Sequence, residues 1–215
     1  MSLSPTTTTE AINTMLTSIG EQPVTDEINL AGLSDASIAS QILRNVSRAV
    51  QSRGWIFNTD LDVVMAPNNA GRFPIPKHVI RVDTTSRLRT STKDIVERAG
   101  FLYDRQNNTD VFQDVTGIKV NQIKLLKFEE LPEPARRYIS IRAARIFHDR
   151  VVGSGELHRF FQEDEMQAWT TLLEYEGDVA DYNIFDNYDV YRVIDRLPGS
   201  SSHRLGYNVI DSYTT

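Results

Sequence analysis

The sequence predicts an α+β protein. It has a helical bundle body of four main helices, an antiparallel β-rich insertion between the second and third helices, and an extended C-terminal tail. Three observations carry that expectation. Ile38, Ile42, Leu43, Val46, Ala49 and Val50 recur at helical spacing, and a similar periodicity returns after Pro132. Between these regions the apolar residues alternate or cluster in short runs separated by turn-forming stretches. After Gly177 regular periodicity fades.

Taken in order, residues 1–8 read as a tail rich in Thr and Ser. Ala11, Ile12, Met15, Leu16 and Ile19 mark one face of a first helix starting near Thr9, and Gly20 stops it. Pro23 and Gly32 place a loop over 21–33. Ser34 suits the N-cap of the second helix, because its hydroxyl can accept from an unpaired first-turn amide. That helix runs to about Arg53. Gly54 suits its end, since glycine takes the left-handed conformation without a side-chain clash. Trp55, Ile56 and Phe57 follow at once. The stretch Gln51 to Asn58 is therefore the expected structural joint between helix and insertion, with Gly54, Trp55 and Phe57 at its centre.

Strand candidates within the insertion are 61–65, 79–82, 93–97, 100–103, 111–112 and 117–127. Ile118, Val120, Ile123 and Leu125 break a strict two-residue period, which a bulge near Asn121 or Gln122 repairs. Pro74 and Pro76 confine their segment to an edge or a connection. Pro132 and Pro134 suit a helix entrance, and Ala135, Ile139, Ala143, Ile146, Phe147 and Val151 form the stripe of a third helix. After the break Val152-Gly153-Ser154-Gly155, a fourth helix carries Leu157, Phe160, Phe161, Ala168, Trp169, Leu172, Leu173 and Tyr175. So short a break favours an antiparallel hairpin.

Charge supports that hairpin. Arg136, Arg137, Arg142, Arg145 and Arg150 make the third helix basic, whereas Glu156, Glu163, Asp164, Glu165, Glu174 and Glu176 make the fourth acidic. Exposed ion pairs contribute about 0–1 kcal/mol each, so the apolar seam must supply most of the stability. The expected division is a discontinuous body of 1–54 and 129–177, an insertion of 55–128 and a tail of 178–215. Tyr182, Phe185, Tyr188 and Tyr191 spread aromatics through that tail and are candidates for contact with another surface.

Composition narrows the chemistry. The chain has no cysteine, which excludes disulfides and thiol catalysis and fits a reducing cytoplasm. No run approaches the roughly 18 apolar residues of a membrane span, so no membrane partner is expected. The N-terminus lacks a basic-then-apolar export signal. A net charge of −6 is ill suited to gripping phosphate backbones. His78, His148, His158 and His203 sit in separate elements without a two-histidine metal spacing, and no phosphate loop or nucleophile elbow occurs. No metal or cofactor is expected. Asp60 with Asp62 and Glu163 with Glu165 are the acid pairs that glycosidase chemistry would need, and solvated faces account for them better. Trp55 and Trp169 read as core or interface anchors.

Several separated stretches carry a resemblance. They are Met15 to Val24, Gln51 to Asn58, Tyr103-Asp104-Arg105, Gln162-Glu163-Asp164-Glu165, Glu174-Tyr175-Glu176 and Asp181-Tyr182-Asn183, in that order over about residues 10–185. Together they resemble tail tubular protein A, the head-to-tail adaptor family of short-tailed bacteriophages (podoviruses). The resemblance implies a non-enzymatic virion protein, synthesised in the bacterial host cytoplasm. It implies a homo-oligomeric ring, a dodecamer, beneath the portal protein. That ring joins the portal to the nozzle (tail tubular protein B) and helps seat the tail fibres. Double-stranded DNA passes through it without sequence-specific binding. On this picture Glu163, Asp164 and Glu165 are candidates to line the channel, because an acidic or mixed wall lets the duplex slide. The C-terminal tail would reach the portal. The alternative is a tail-associated, glycan-degrading enzyme acting on capsule or cell wall through one of the acid pairs.

Overall fold

The helices form where the apolar spacing places them. In the computed structural model, which describes residues 5–25, 34–84, 95–113 and 115–180, they are α1 (Thr8–Ser18), α2 (Ser34–Gln51), α3 (Glu133–Val151) and α4 (Gly155–Val179). A reciprocal capping box opens α1: the Thr7 hydroxyl accepts from the Glu10 amide at 3.2 Å, and the Glu10 carboxylate accepts from the Thr7 amide at 2.9 Å. Gly20 follows that helix at a φ of 83°. The α2 helix begins on Ser34 itself. It ends at Gln51, and Gly54 turns the chain at a φ of 81°. Tyr182, Phe185, Tyr188 and Tyr191 lie outside the described residues.

Five strands separate α2 from α3: β1 (Thr59–Met65), β2 (Val79–Thr84), β3 (Ile95–Arg98), β4 (Phe101–Asp104) and β5 (Ile118–Lys124). All their pairings are antiparallel. The sheet order is β1-β5-β2, with β3 and β4 as a separate hairpin. The bulge expected near Asn121 or Gln122 on β5 is carried by its neighbours instead. Register shifts lie between Asp60 and Val63 on β1 and between Val79 and Arg81 on β2, while β5 runs straight between them. The segment 111–112 is a loop, in which the Phe112 amide donates to the Gly71 carbonyl at 2.9 Å.

The class is α+β, but the four-helix bundle expected for the body is not what forms. Helix α3 is the hub: α1, α2 and α4 all pack on it, α1 and α2 also touch, and α4 has α3 as its main helical neighbour. Ala135, Tyr138, Ile139, Ser140, Ala143, Ala144, Phe147 and His148 are buried around most of the α3 circumference, as a central helix requires. By contrast, Ala168 and Leu172 are the fully buried side chains of α4 among the described residues. A bundle needs four helices sharing one seam, and here the fourth lies along only one of the others.

The edges of the insertion also belong to the helices. Trp55 and Phe128 sit in the helical core with Leu131, Tyr138 and Leu172, and Phe57 and Leu126 pack against it. A second core, built on Phe73, Leu102, Val120, Met65 and Ile95, lies within the strands.

Candidate functional site

Two polar side chains at the ends of the Gln51 to Asn58 stretch, neither marked by periodicity or motif, fasten the joint. Gln51 is fully buried at the end of α2. Its amide nitrogen donates to the Ser47 hydroxyl (3.0 Å) and the Leu126 carbonyl (3.1 Å), and its oxygen accepts from the Leu126 amide (2.8 Å). Asn58, also buried, accepts from the Trp55 amide at 2.8 Å and donates to the carbonyls of Gln51 (3.0 Å) and Lys124 (2.9 Å). The end of β5 is thereby tied to the end of α2 through bonds that satisfy otherwise buried backbone groups. Gly54 is needed both for its left-handed backbone and for space, since a Cβ there would lie 2.5 Å from Ile123 Cδ1.

Trp55 is the aromatic centre of the joint. Its indole Nε1 donates to the Val50 carbonyl at 2.8 Å. Its ring stacks on Phe57 at 6.1 Å and meets Trp169 of α4 edge-on at 5.5 Å, and Trp169 also touches Tyr138 of α3 at 5.0 Å. The Arg53 guanidinium lies 4.9 Å from the Trp169 ring centroid and 5.4 Å from that of Trp55. One residue on, the Ile56 amide donates to Glu176 of α4 at 2.6 Å.

Beside the joint opens a groove of about 490 Å³, walled by α2 (Ala49, Val50, Arg53), by α3 (Tyr138, Arg142, Arg145) and by α4 (His158, Gln162, Glu165, Met166, Trp169). Its polar side is a short ion network. Glu165 accepts from Arg145 Nε at 2.5 Å and lies 3.4 Å from Arg142, whose Nη1 donates to the Tyr138 hydroxyl at 2.7 Å. Asp149 continues it, 3.5 Å from Arg145 and 2.9 Å from His158 Nδ1. The hydrogen bond to Glu165 outweighs burial and raises Arg145 above its ordinary guanidinium value, so Arg145 stays cationic at any working pH.

The charged residues singled out in sequence are thus split. Glu165 turns inward to the α3 arginines, whereas Glu163 and Asp164 are exposed. Asp60 pairs with Lys124, and Asp62 is exposed on β1. Arg136 donates to the carbonyls of Leu131 (2.7 Å) and Thr6 (3.0 Å) and so serves the α1–α3 contact. His148 is buried against Phe161 at a centroid distance of 5.4 Å. Among the described residues no cluster of His, Asp or Glu is placed to hold a metal, and no helix is long and apolar enough to cross a membrane. Asp104 in Tyr103-Asp104-Arg105 has a local structural role. It is buried, and its carboxylate accepts from the backbone amides of Gln106 (2.9 Å) and Asn107 (3.2 Å), closing the loop after β4.

The sequence model of the family described as tail tubular protein matches residues 9–182, and the chain belongs to that family. A search of curated proteins finds no match. Membership makes the chain a structural component of a bacteriophage tail, located in the virion and assembled with other tail components.

Proposed function

We propose that the chain is a ring-forming adaptor, a dodecamer, that joins the portal to the tail nozzle, helps seat the tail fibres and encloses part of the DNA ejection channel. The family match over residues 9–182 carries this reading. In it the helical body, 1–54 with 129–177, builds the ring, and the insertion, 55–128, faces the nozzle and fibres. The tail beyond 177 reaches the portal, with Tyr182, Phe185, Tyr188 and Tyr191 as its contacts. Glu163 and Asp164, exposed on α4, line the channel. Glu165, the third member of that run, is engaged by Arg142 and Arg145. An acidic wall repels phosphate and leaves the duplex free to slide.

The test is solution mass and negative-stain imaging of the chain, alone and mixed with portal protein. Rings in either preparation support the adaptor, and a strict monomer in both overturns it. A lumen wall dominated by Arg142 and Arg145 in the assembled ring would overturn the channel assignment alone.

A further inference from the structure

We propose that neighbouring copies of this chain join head to tail, the groove between α2 and α4 of one copy receiving the β1 edge of the next at Leu61, Asp62 and Val64. This rests on the ring reading above and names the surfaces that make the ring. Four features of the chain converge on it.

The first is the edge itself. In the order β1-β5-β2, β1 pairs only with β5, so one of its edges is open among the described residues. Leu61 and Val64 are 61% and 65% exposed on it. The irregularity and the aspartates of β1 blunt the edge against pairing with another strand, and the exposed Leu61 and Val64 side chains are what it offers to a non-strand surface. The second is Asp62, which takes a φ of 57° within the β1 irregularity. The register irregularity of β1 accommodates this conformation, which aspartate tolerates better than most residues, and it turns the side chain to solvent. The Asp62 amide is held by the Asn121 side chain at 3.1 Å, while its carboxylate is exposed with no cationic partner among the described residues.

The third feature is Arg53. It lies over the rings of Trp55 and Trp169 at the groove and has no carboxylate partner among the described residues. The fourth is Met166, 64% exposed on the α4 wall beside Trp169. The two surfaces complement each other in charge and polarity: Asp62 faces Arg53, and Leu61 and Val64 face Met166 and Trp169. Leu61 and Met166 are both exposed, so the surfaces are not spent on each other within one copy. Because they are two different patches, the contact is heterologous, and repeated heterologous contacts close into a ring or run on as a filament. Pairing one β1 edge with another would instead give a two-fold dimer.

The absence of cysteine makes a clean test. Full-length Leu61→Cys and Met166→Cys variants are mixed and mildly oxidised. Disulfide-linked dimers in the mixture, and a ladder of higher species from the double variant, are expected. Cross-linking by Leu61→Cys alone, or none in the mixture, overturns the proposal. In a second arm, Asp62→Asn keeps a residue that tolerates the left-handed backbone while removing the charge. Asp62→Asn and Arg53→Glu should each raise the concentration for half-assembly by about tenfold. Wild-type assembly in both single variants overturns the contact. Rings that form without either signature sink this interface and leave the adaptor reading standing, whereas a wild-type chain that never assembles sinks both.

Discussion

Replacing Trp55 with alanine tests whether the joint is a load point of the helical core or only a boundary in the sequence. The side chain is 3% exposed and touches Phe57, Trp169 and the Arg53 guanidinium, and its indole nitrogen holds the Val50 carbonyl. Truncating a buried tryptophan to alanine costs about 3–5 kcal/mol. The Val50 carbonyl loses a partner at the same time, a cost of about 1 kcal/mol already within that range. For a domain of this size each kcal/mol shifts the midpoint by roughly 2–4 °C, so thermal unfolding should move down by roughly 6–20 °C.

Urea and thermal denaturation followed by circular dichroism measure this directly, with Trp55→Phe as comparator. Phenylalanine keeps much of the apolar contact and loses the indole hydrogen bond, so it should cost about 1–2 kcal/mol. Hydrogen exchange should speed up in Trp55→Ala at the amides of Ile56 and Leu126, which the joint holds. A loss below about 1 kcal/mol, the scale of an ordinary surface substitution, would refute the argument.

Gly54→Ala forces a left-handed alanine, at about 1–2 kcal/mol, and also displaces the buried Ile123 side chain. Gly100→Ala carries the same backbone strain at a φ of 78° with nothing within 4 Å of the new carbon, so urea midpoints should show Gly54→Ala to be the worse of the two. Asn58→Ala strips partners from Trp55, Gln51 and Lys124 backbone groups and should cost about 2–4 kcal/mol in the same assay. Burial alone would raise the Glu129 carboxyl, but the hydrogen bonds from Thr8 and the backbone, with the charge of Arg136, hold it below its ordinary value of 4.5. A depressed carboxyl stabilises the fold above its unfolded value and loses that contribution as pH falls through the lower folded one. Urea midpoints taken from neutral to acid pH should therefore fall less steeply in Glu129→Gln than in the parent.

Local periodicity made the helices legible. The α2 stripe, Gly54 as its terminator and the break before α4 all follow from neighbours within a turn or two. The hub position of α3, in place of the expected bundle, was not legible, because five arginines make that helix look half-solvated. Tyr138, Phe147 and the alanines are buried around it all the same, while Arg142 and Arg145 extend past them to Glu165 and Asp149. The capping box at Thr7 was hidden in what reads as a polar tail. Gln51 and Asn58 escaped for a different reason. Their partners lie 75 and 66 residues away, so no window along the chain reveals that they are buried and bonded. Glu165 and Glu163 look equivalent in sequence, and only the rotation of α4 against α3 separates them.

The geometry of the joint bears on how a ring could hold the sheet. Asn58 and Gln51 fix the end of β5 to α2, Trp55 meets Trp169, and Glu176 holds the Ile56 amide. Strand, second helix and fourth helix thus meet within one continuous network of hydrogen bonds and aromatic contacts. A hinge needs backbone free to change its dihedral angles, and here the amides of Trp55, Ile56 and Asn58 are all engaged. The base of the sheet must therefore follow the helices as one body. Arg53, Trp55 and Trp169 line both the joint and the groove, so a chain seated in the groove presses on the residues that set the direction of β1. In the head-to-tail contact proposed above, β1 is what the next copy receives. Each contact then supports the orientation that the following contact needs, and disrupting the joint in one copy weakens its hold on two neighbours at once.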